Sequence, residues 1–257
     1  MNIVLYDGSF EGLLTAVFEI YEFKIAAPEI YKNDSASGSL FSNTRTVQTN
    51  LEKSGRVQKK LVDKLSKQGY IQLYKTFLSE LKGIENVMLR FIQYVLSSKL
   101  AVENDFANPD VLAVRQTSKK VDREKHRMEA FVRFQLTKDQ LYYSIIQPDY
   151  NVLPLVSNHF EKRYADQRWL IYDALRKYGL YYDGNKTEVV EMNFSIDTAN
   201  AQQVKALYDD SEELYQKLWQ QYFTSVNIAA RKNMKLHIQH MPKRYWRHLV
   251  EKQQPKI

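Results

Sequence analysis

The chain has 257 residues, enough for one large domain or two small ones, and its 44% apolar and 26% charged residues are globular usage rather than disorder. Cysteine is absent, which excludes disulfides, thiolate zinc sites, iron–sulfur clusters and cysteine nucleophiles; with no leader pattern and no long apolar run, the sequence predicts a cytoplasmic protein. Lys and Arg exceed Asp and Glu by seven, and residues 226–257, with eight basic residues and one acid, hold the whole excess, which points to an anionic partner such as nucleic acid.

Residues 2–6 are apolar and β-favouring, Asp7-Gly8 makes a turn, and residues 10–23 carry Leu14, Val17, Phe18 and Tyr21 at helical spacing. Residues 31–50 are small and polar and read as mostly loop. From 51 to about 98 the pattern is helical in two or three pieces, punctuated by Gly69 and Gly83, with Val57, Leu61 and Leu65 on one stripe. Another helix starts after Asn108, where Asn-Pro supplies a cap and a first-turn proline, and carries Val111, Val114, Val121 and Met128 on its inner side.

The period then changes from 3.6 to 2. Residues 130–136 and 140–146 flank Thr137-Lys138-Asp139 as a hairpin, 152–164 reads as a helix, and 168–173, 179–183 and 187–194 follow as strands. Asp183-Gly184-Asn185 is a tight-turn signal, and a long helix is expected over 198–231. These elements predict an α+β protein. A helical N-terminal half opened by a strand precedes a β–β–α–β–β–β unit, whose mainly antiparallel sheet has helices packed on one face. The expected division is 1–109 and 110–257, unless the first strand joins the later sheet and makes one domain.

Two basic segments suit nucleic acid. In the tail, Lys243, Arg244 and Arg247 interleave with Tyr245 and Trp246; cations serve phosphates, and rings stack on unpaired bases. The competing reading has the rings anchoring the tail to the core while the cations stay solvated. Lys120, Arg123 and Arg127 recur at spacings of three and four and share a helix face, unless they only pair with Asp122, Glu124 and Glu129.

Catalytic candidates are sparse. His159 could serve as a general acid or base if the fold brings Asp149 or Asp173 beside it. Those aspartates sit at element boundaries, where carboxylates cap helices and make turns, although Asp173, Asp183 and Arg168 beside Trp169 could form a site at a sheet edge. His237 and His240 are three apart without a local carboxylate, so no metal is expected, and the lack of Walker, GxGxxG, GxSxG and HExxH patterns leaves no cofactor expected.

The segments HRMEAFVRF (126–134), PDYNVLPLVSNHFEKRYADQRWLIYDALRKYGLYYDG (148–184) and MPKRYWRHL (241–249) resemble a bacterial family of unknown-function proteins labelled as DNA metabolism or repair proteins. Its members are typically encoded beside a radical-SAM protein assigned to DNA modification, and in some relatives a related domain is fused to a uracil-DNA glycosylase-like domain. The resemblance implies a DNA role without a reaction. Matching positions include His126, Arg127, Arg133, His159, Arg163, Trp169, Asp173, Tyr181, Asp183, Lys243, Arg244, Tyr245 and Trp246. It also implies that radical chemistry belongs to the partner, since this chain has no cysteine. The expectation is a DNA-binding accessory protein. Its rivals are a base-flipping enzyme using Trp169 or Trp246 with an aspartate, and a protein-interaction module whose tail docks on an acidic partner.

Overall fold

The computed structural model describes residues 2–33, 43–191, 218 and 234–252. The chain divides into two compact units, Met1–Asp122 and Arg123–Ile257. The division falls inside the helix Pro109–Phe131, whereas the sequence suggested a division at the start of that helix.

In the first unit β1 (Asn2–Tyr6) is the central strand of a three-stranded parallel sheet, with β2 (Pro28–Lys32) on one side and β3 (Asn43–Thr46) on the other. Parallel neighbours need a crossover, and α1 (Phe10–Glu22) supplies it between β1 and β2. The alternative in which β1 joins the later sheet is thus set aside, and the stretch 31–50, expected to be mostly loop, contains the end of β2 and all of β3. The strand β3, Asn-Thr-Arg-Thr, has all four residues exposed, so backbone pairing holds it and no apolar alternation announces it.

Ser9 caps α1 by accepting from the Gly12 N–H. Asp7 in turn accepts from the Ser9 amide and from the hydroxyls of Ser9 and Thr49, fastening the β1–α1 turn to the chain beyond β3. Gly12 makes this fit possible, because a Cβ there would lie 2.2 Å from Asp7 Oδ1. Three helices follow: α2 (Leu51–Lys64), α3 (Lys67–Phe77) and α4 (Ile84–Ser97). The break between α2 and α3 comes at Leu65-Ser66, with Ser66 as the cap, and Gly69 lies within α3. Val4, Tyr6, Leu13, Val17, Leu61, Leu73, Met88 and Ile92 form the heart of this core.

The helix α5 (Pro109–Phe131) begins as its sequence predicts. Asn108 Oδ1 accepts from the amides of Asp110 and Val111, and Val111, Val114, Val121 and Met128 are all buried. The expected strand over 130–136 is corrected. α5 continues to Phe131 and only β4 (Gln135–Leu136) is extended, because Val132 repeats the buried row one turn after Met128.

The second sheet runs β4, β5 (Tyr142–Ile146), β6 (Trp169–Asp173), β7 (Tyr178–Tyr182), β8 (Thr187–Glu191) in both chain and spatial order. Every pairing is antiparallel except β5–β6, which is parallel across the connecting helix α6 (Leu153–Arg163). The α+β architecture with a mainly antiparallel sheet is therefore as expected. All five residues of central β6 are buried. Its Trp169 meets Phe160 of α6, and Ile146, on the same face by register, lines a small cleft with Tyr245 and Leu249. The C-terminal described segment comprises α7 (Met234–His240) and the 3₁₀ turns Lys243–His248 and Val250–Lys252.

The helix expected over 198–231 lies outside the described residues apart from Leu218, as do Arg231, Lys232 and Lys256 of the tail. Among the described residues no helix is long and apolar enough to cross a membrane.

Candidate nucleic-acid interface

In the tail the structure favours the competing reading, in which the rings anchor the segment to the core. Tyr245 is 3% exposed, with its ring against Phe131 and its hydroxyl 2.7 and 2.6 Å from the two carboxylate oxygens of Glu124. Burial, then the hydrogen bond to Glu124, raises the phenol above its ordinary range. Glu124 is itself buried on α5 and also accepts from the Asp149 amide at 2.9 Å. Arg127 reaches the same carboxylate at 3.5 Å, and Arg244 bridges Glu124 at 3.3 Å and Asp149 at 2.8 Å. Thus Tyr245 is an anchor rather than a stacking platform, and Arg127 and Arg244 neutralise acids of the body. Arg133 extends the fastening by pairing with Glu251 at 2.9 Å.

Trp246 is half-buried. Its Nε1–H donates to the Met241 carbonyl, and Lys243 and Lys252 lie 5.9 and 5.0 Å from its ring centre. Both cations contact the ring that was expected to receive a base. Lys243 and Arg247 are exposed. The expected surface of phosphate-binding cations interleaved with base-stacking rings is therefore not formed by these described residues: the ordering contacts that build the segment consume its rings and one of its arginines.

Two further candidates are corrected by burial. Trp169 is 0% exposed, stacked on Tyr182 and bordered by Phe134 and Phe160, so its ring cannot receive a base without dismantling the core. Asp173 is also 0% exposed. It caps the β6–β7 turn by accepting from the amides of Leu175 and Arg176, and it pairs with the Arg176 guanidinium at 2.9 Å. Burial still raises its carboxyl against the opposing pull of Arg176. Asp149 is exposed but paired with Arg244, so the base-flipping alternative loses its aromatic–carboxylate set in Trp169, Asp149 and Asp173. Asp183 makes the expected tight turn, accepting from the amides of Asn185 and Lys186.

His159 behaves differently. The fold brings neither Asp149 nor Asp173 to it; Glu129 of α5 faces it instead, with Nδ1 3.9 Å from Oε1. On α6, Leu155, Asn158, His159, Lys162 and Arg163 fall at helical spacings of three and four and form one wall of an open groove of about 470 Å³. Lys125 and Glu129, four apart on α5, form the other wall and pair at 2.8 Å. Among the described residues Lys162 and Arg163 have no carboxylate partner, and both are exposed. The groove offers two unengaged cations, one imidazole and a carboxylate that Lys125 already neutralises. That composition can hold a phosphate.

Of the expected binding residues, Arg163 is thus the one the groove contains, together with the catalytic candidate His159. Lys120 and Arg123 are exposed on α5, in the first and second units respectively. Lys125, Glu129 and Lys162 were missed, although Lys125/Glu129 and His159/Lys162/Arg163 are spaced as same-face sets on their helices. His237 contacts the Trp246 ring, and among the described residues no three His, Asp or Glu side chains gather as metal ligands.

The groove, the buried Glu124 cluster and the second sheet all lie in a stretch that matches a recognised family. Residues 82–251 fit the model for DUF4130, a domain of unknown function. The chain belongs to the DUF4130 family. No curated protein matches it. In this DUF4130 chain the matched stretch runs from just before α4 to the final 3₁₀ turn, so both walls of the groove are family structure rather than an appended segment.

Proposed function

We propose that this protein binds DNA and serves repair or modification alongside a separate radical-SAM enzyme. The observation that supports DNA binding is the α5–α6 groove, where Lys162 and Arg163 stand exposed without ion-pair partners among the described residues. Cations already engaged by carboxylates add little to polyanion affinity, whereas unengaged ones release counterions from the phosphate backbone. The resemblance to DNA metabolism proteins supplies the repair context and the radical-SAM partner.

The test is fluorescence anisotropy of labelled single-stranded and duplex DNA across a salt series. Affinity should fall with salt, and Lys162→Ala with Arg163→Ala should flatten the log-affinity against log-salt slope by roughly 1.8 for duplex, about 0.9 per lost phosphate contact. Lys243→Ala should flatten it by no more than about 0.9, and the buried Trp169 should contribute nothing. Absence of salt-sensitive binding to any DNA form overturns the reading. Co-purification with the radical-SAM partner tests the accessory role, and nuclease treatment separates a DNA bridge from direct docking.

A further inference from the structure

We infer that His159 is a third, titratable phosphate ligand of the α5–α6 groove, so that the groove takes a phosphate oxyanion more tightly when this imidazole is charged. The inference rests on the DNA-binding reading and assigns the site's ligand chemistry. His159 stands one turn before Lys162 and Arg163 on the same wall, with its side chain 43% exposed, so all three reach the same open space.

The charged surroundings fix the sign. From α6 the groups facing the space are Lys162 and Arg163; from α5 they are Lys125 and Glu129. Among the described residues Glu129 is the only carboxylate in the groove lining, and three nitrogens share it: Lys125 Nζ at 2.8 Å, His126 Nδ1 at 3.9 Å and His159 Nδ1 at 3.9 Å. With a neutral imidazole, Lys125 cancels Glu129 and the lining carries the two positive charges of Lys162 and Arg163. Protonation of His159 adds a third positive charge within reach of the same open space. The donor set then consists of a guanidinium, an ammonium and an imidazolium, the three side-chain types that suit phosphate oxygens.

The phosphate could be an internal diester of a strand or a terminal monoester, and the chemistry of recognition is common to both. The experiment uses the full chain in phosphate-free buffer with labelled single-stranded oligonucleotides bearing either a 5′-hydroxyl or a 5′-phosphate, at pH 5.5 and pH 8. Wild type should bind the 5′-hydroxyl oligonucleotide roughly fivefold more tightly at pH 5.5, with a salt slope steeper by about 0.7, the increment for one more phosphate contact on a single strand. His159→Gln should remove that pH ratio, and His159→Lys should give the pH 5.5 affinity at both pH values. An additional gain from the 5′-phosphate assigns the terminal monoester, and equal affinity for the two probes assigns the diester. An unchanged pH ratio in His159→Gln, or no pH ratio in wild type, overturns the inference and leaves the DNA-binding reading standing. Failure of wild type to bind either probe at either pH rejects both.

Discussion

The Tyr245 hydroxyl sits between the two carboxylate oxygens of Glu124, 121 residues away in the chain, at 2.7 and 2.6 Å. With Arg244, Arg127 and the Asp149 amide around the same carboxylate, this contact fastens the C-terminal segment to the end of α5. Removing the hydroxyl takes one donor from a buried charge; removing the charge strips the whole cluster of its centre. Tyr245→Phe is expected to cost about 1.5–3 kcal/mol and Glu124→Ala about 3–5 kcal/mol, read from urea midpoints at pH 7. Equal stability of Glu124→Ala and wild type would show that the segment is held by apolar packing alone.

His248 supplies a pH dependence. It lies in a small cleft with Met128, Phe131, Ile146 and Leu249, its Nε2 buried without a hydrogen-bond partner among the described residues. Burial, then the neighbouring Arg247, pushes its imidazole down to about 4 from 6.5. The folded chain therefore favours neutral His248. Stability is fully present above pH 6.5, falls as the unfolded chain takes up its proton, and reaches its floor below pH 4. The loss should be roughly 2–3 kcal/mol after allowance for partial exposure. The difference between wild type and His248→Met in denaturation series at pH 7 and pH 4.5 isolates it: the variant should lose less on acidification. Parallel losses would remove His248 as the cause.

Trp169 should matter for folding alone. Its ring is enclosed by Phe134, Phe160 and Tyr182, and truncation opens a cavity in the centre of the second sheet. Trp169→Ala should lower stability by about 3–5 kcal/mol. At temperatures where the variant remains folded, its DNA salt slope should equal that of wild type. A changed slope in folded Trp169→Ala would return this residue to the binding surface.

Gly179 tests the sheet itself. It faces Tyr172 in the antiparallel β6–β7 pair, and a Cβ there would lie 2.9 Å from the Ile171 carbonyl oxygen. That oxygen belongs to a central strand and cannot swing aside as a side chain would. Gly179→Ala is expected to cost about 1–3 kcal/mol, with thermal denaturation as the measurement. A neutral substitution would mean that β7 can shift without loss.

The order of elements was legible in the sequence wherever one short-range rule sufficed. The Asn108-Pro109 cap, the buried row Val111, Val114, Val121 and Met128, and the Asp183-Gly184 turn each follow from neighbours within a few positions. Residues 130–136 were misread because Ala-Phe-Val-Arg-Phe satisfies both alternation and helical spacing, and the turn preceding Val132 decided between them. The strand β3 stayed invisible because an exposed polar edge strand carries no apolar pattern.

Composition by itself determined the net charge, the lack of thiol chemistry and the concentration of cations in residues 226–257. Only the tertiary structure decided which cations are available. Arg244 meets Glu124 across 120 positions of chain and is engaged, whereas Lys162 and Arg163 meet no carboxylate among the described residues and line the groove. A charge is fixed by residue type, but its freedom to bind a partner depends on what the fold sets within about 4 Å of it, and local sequence carries no record of that distance.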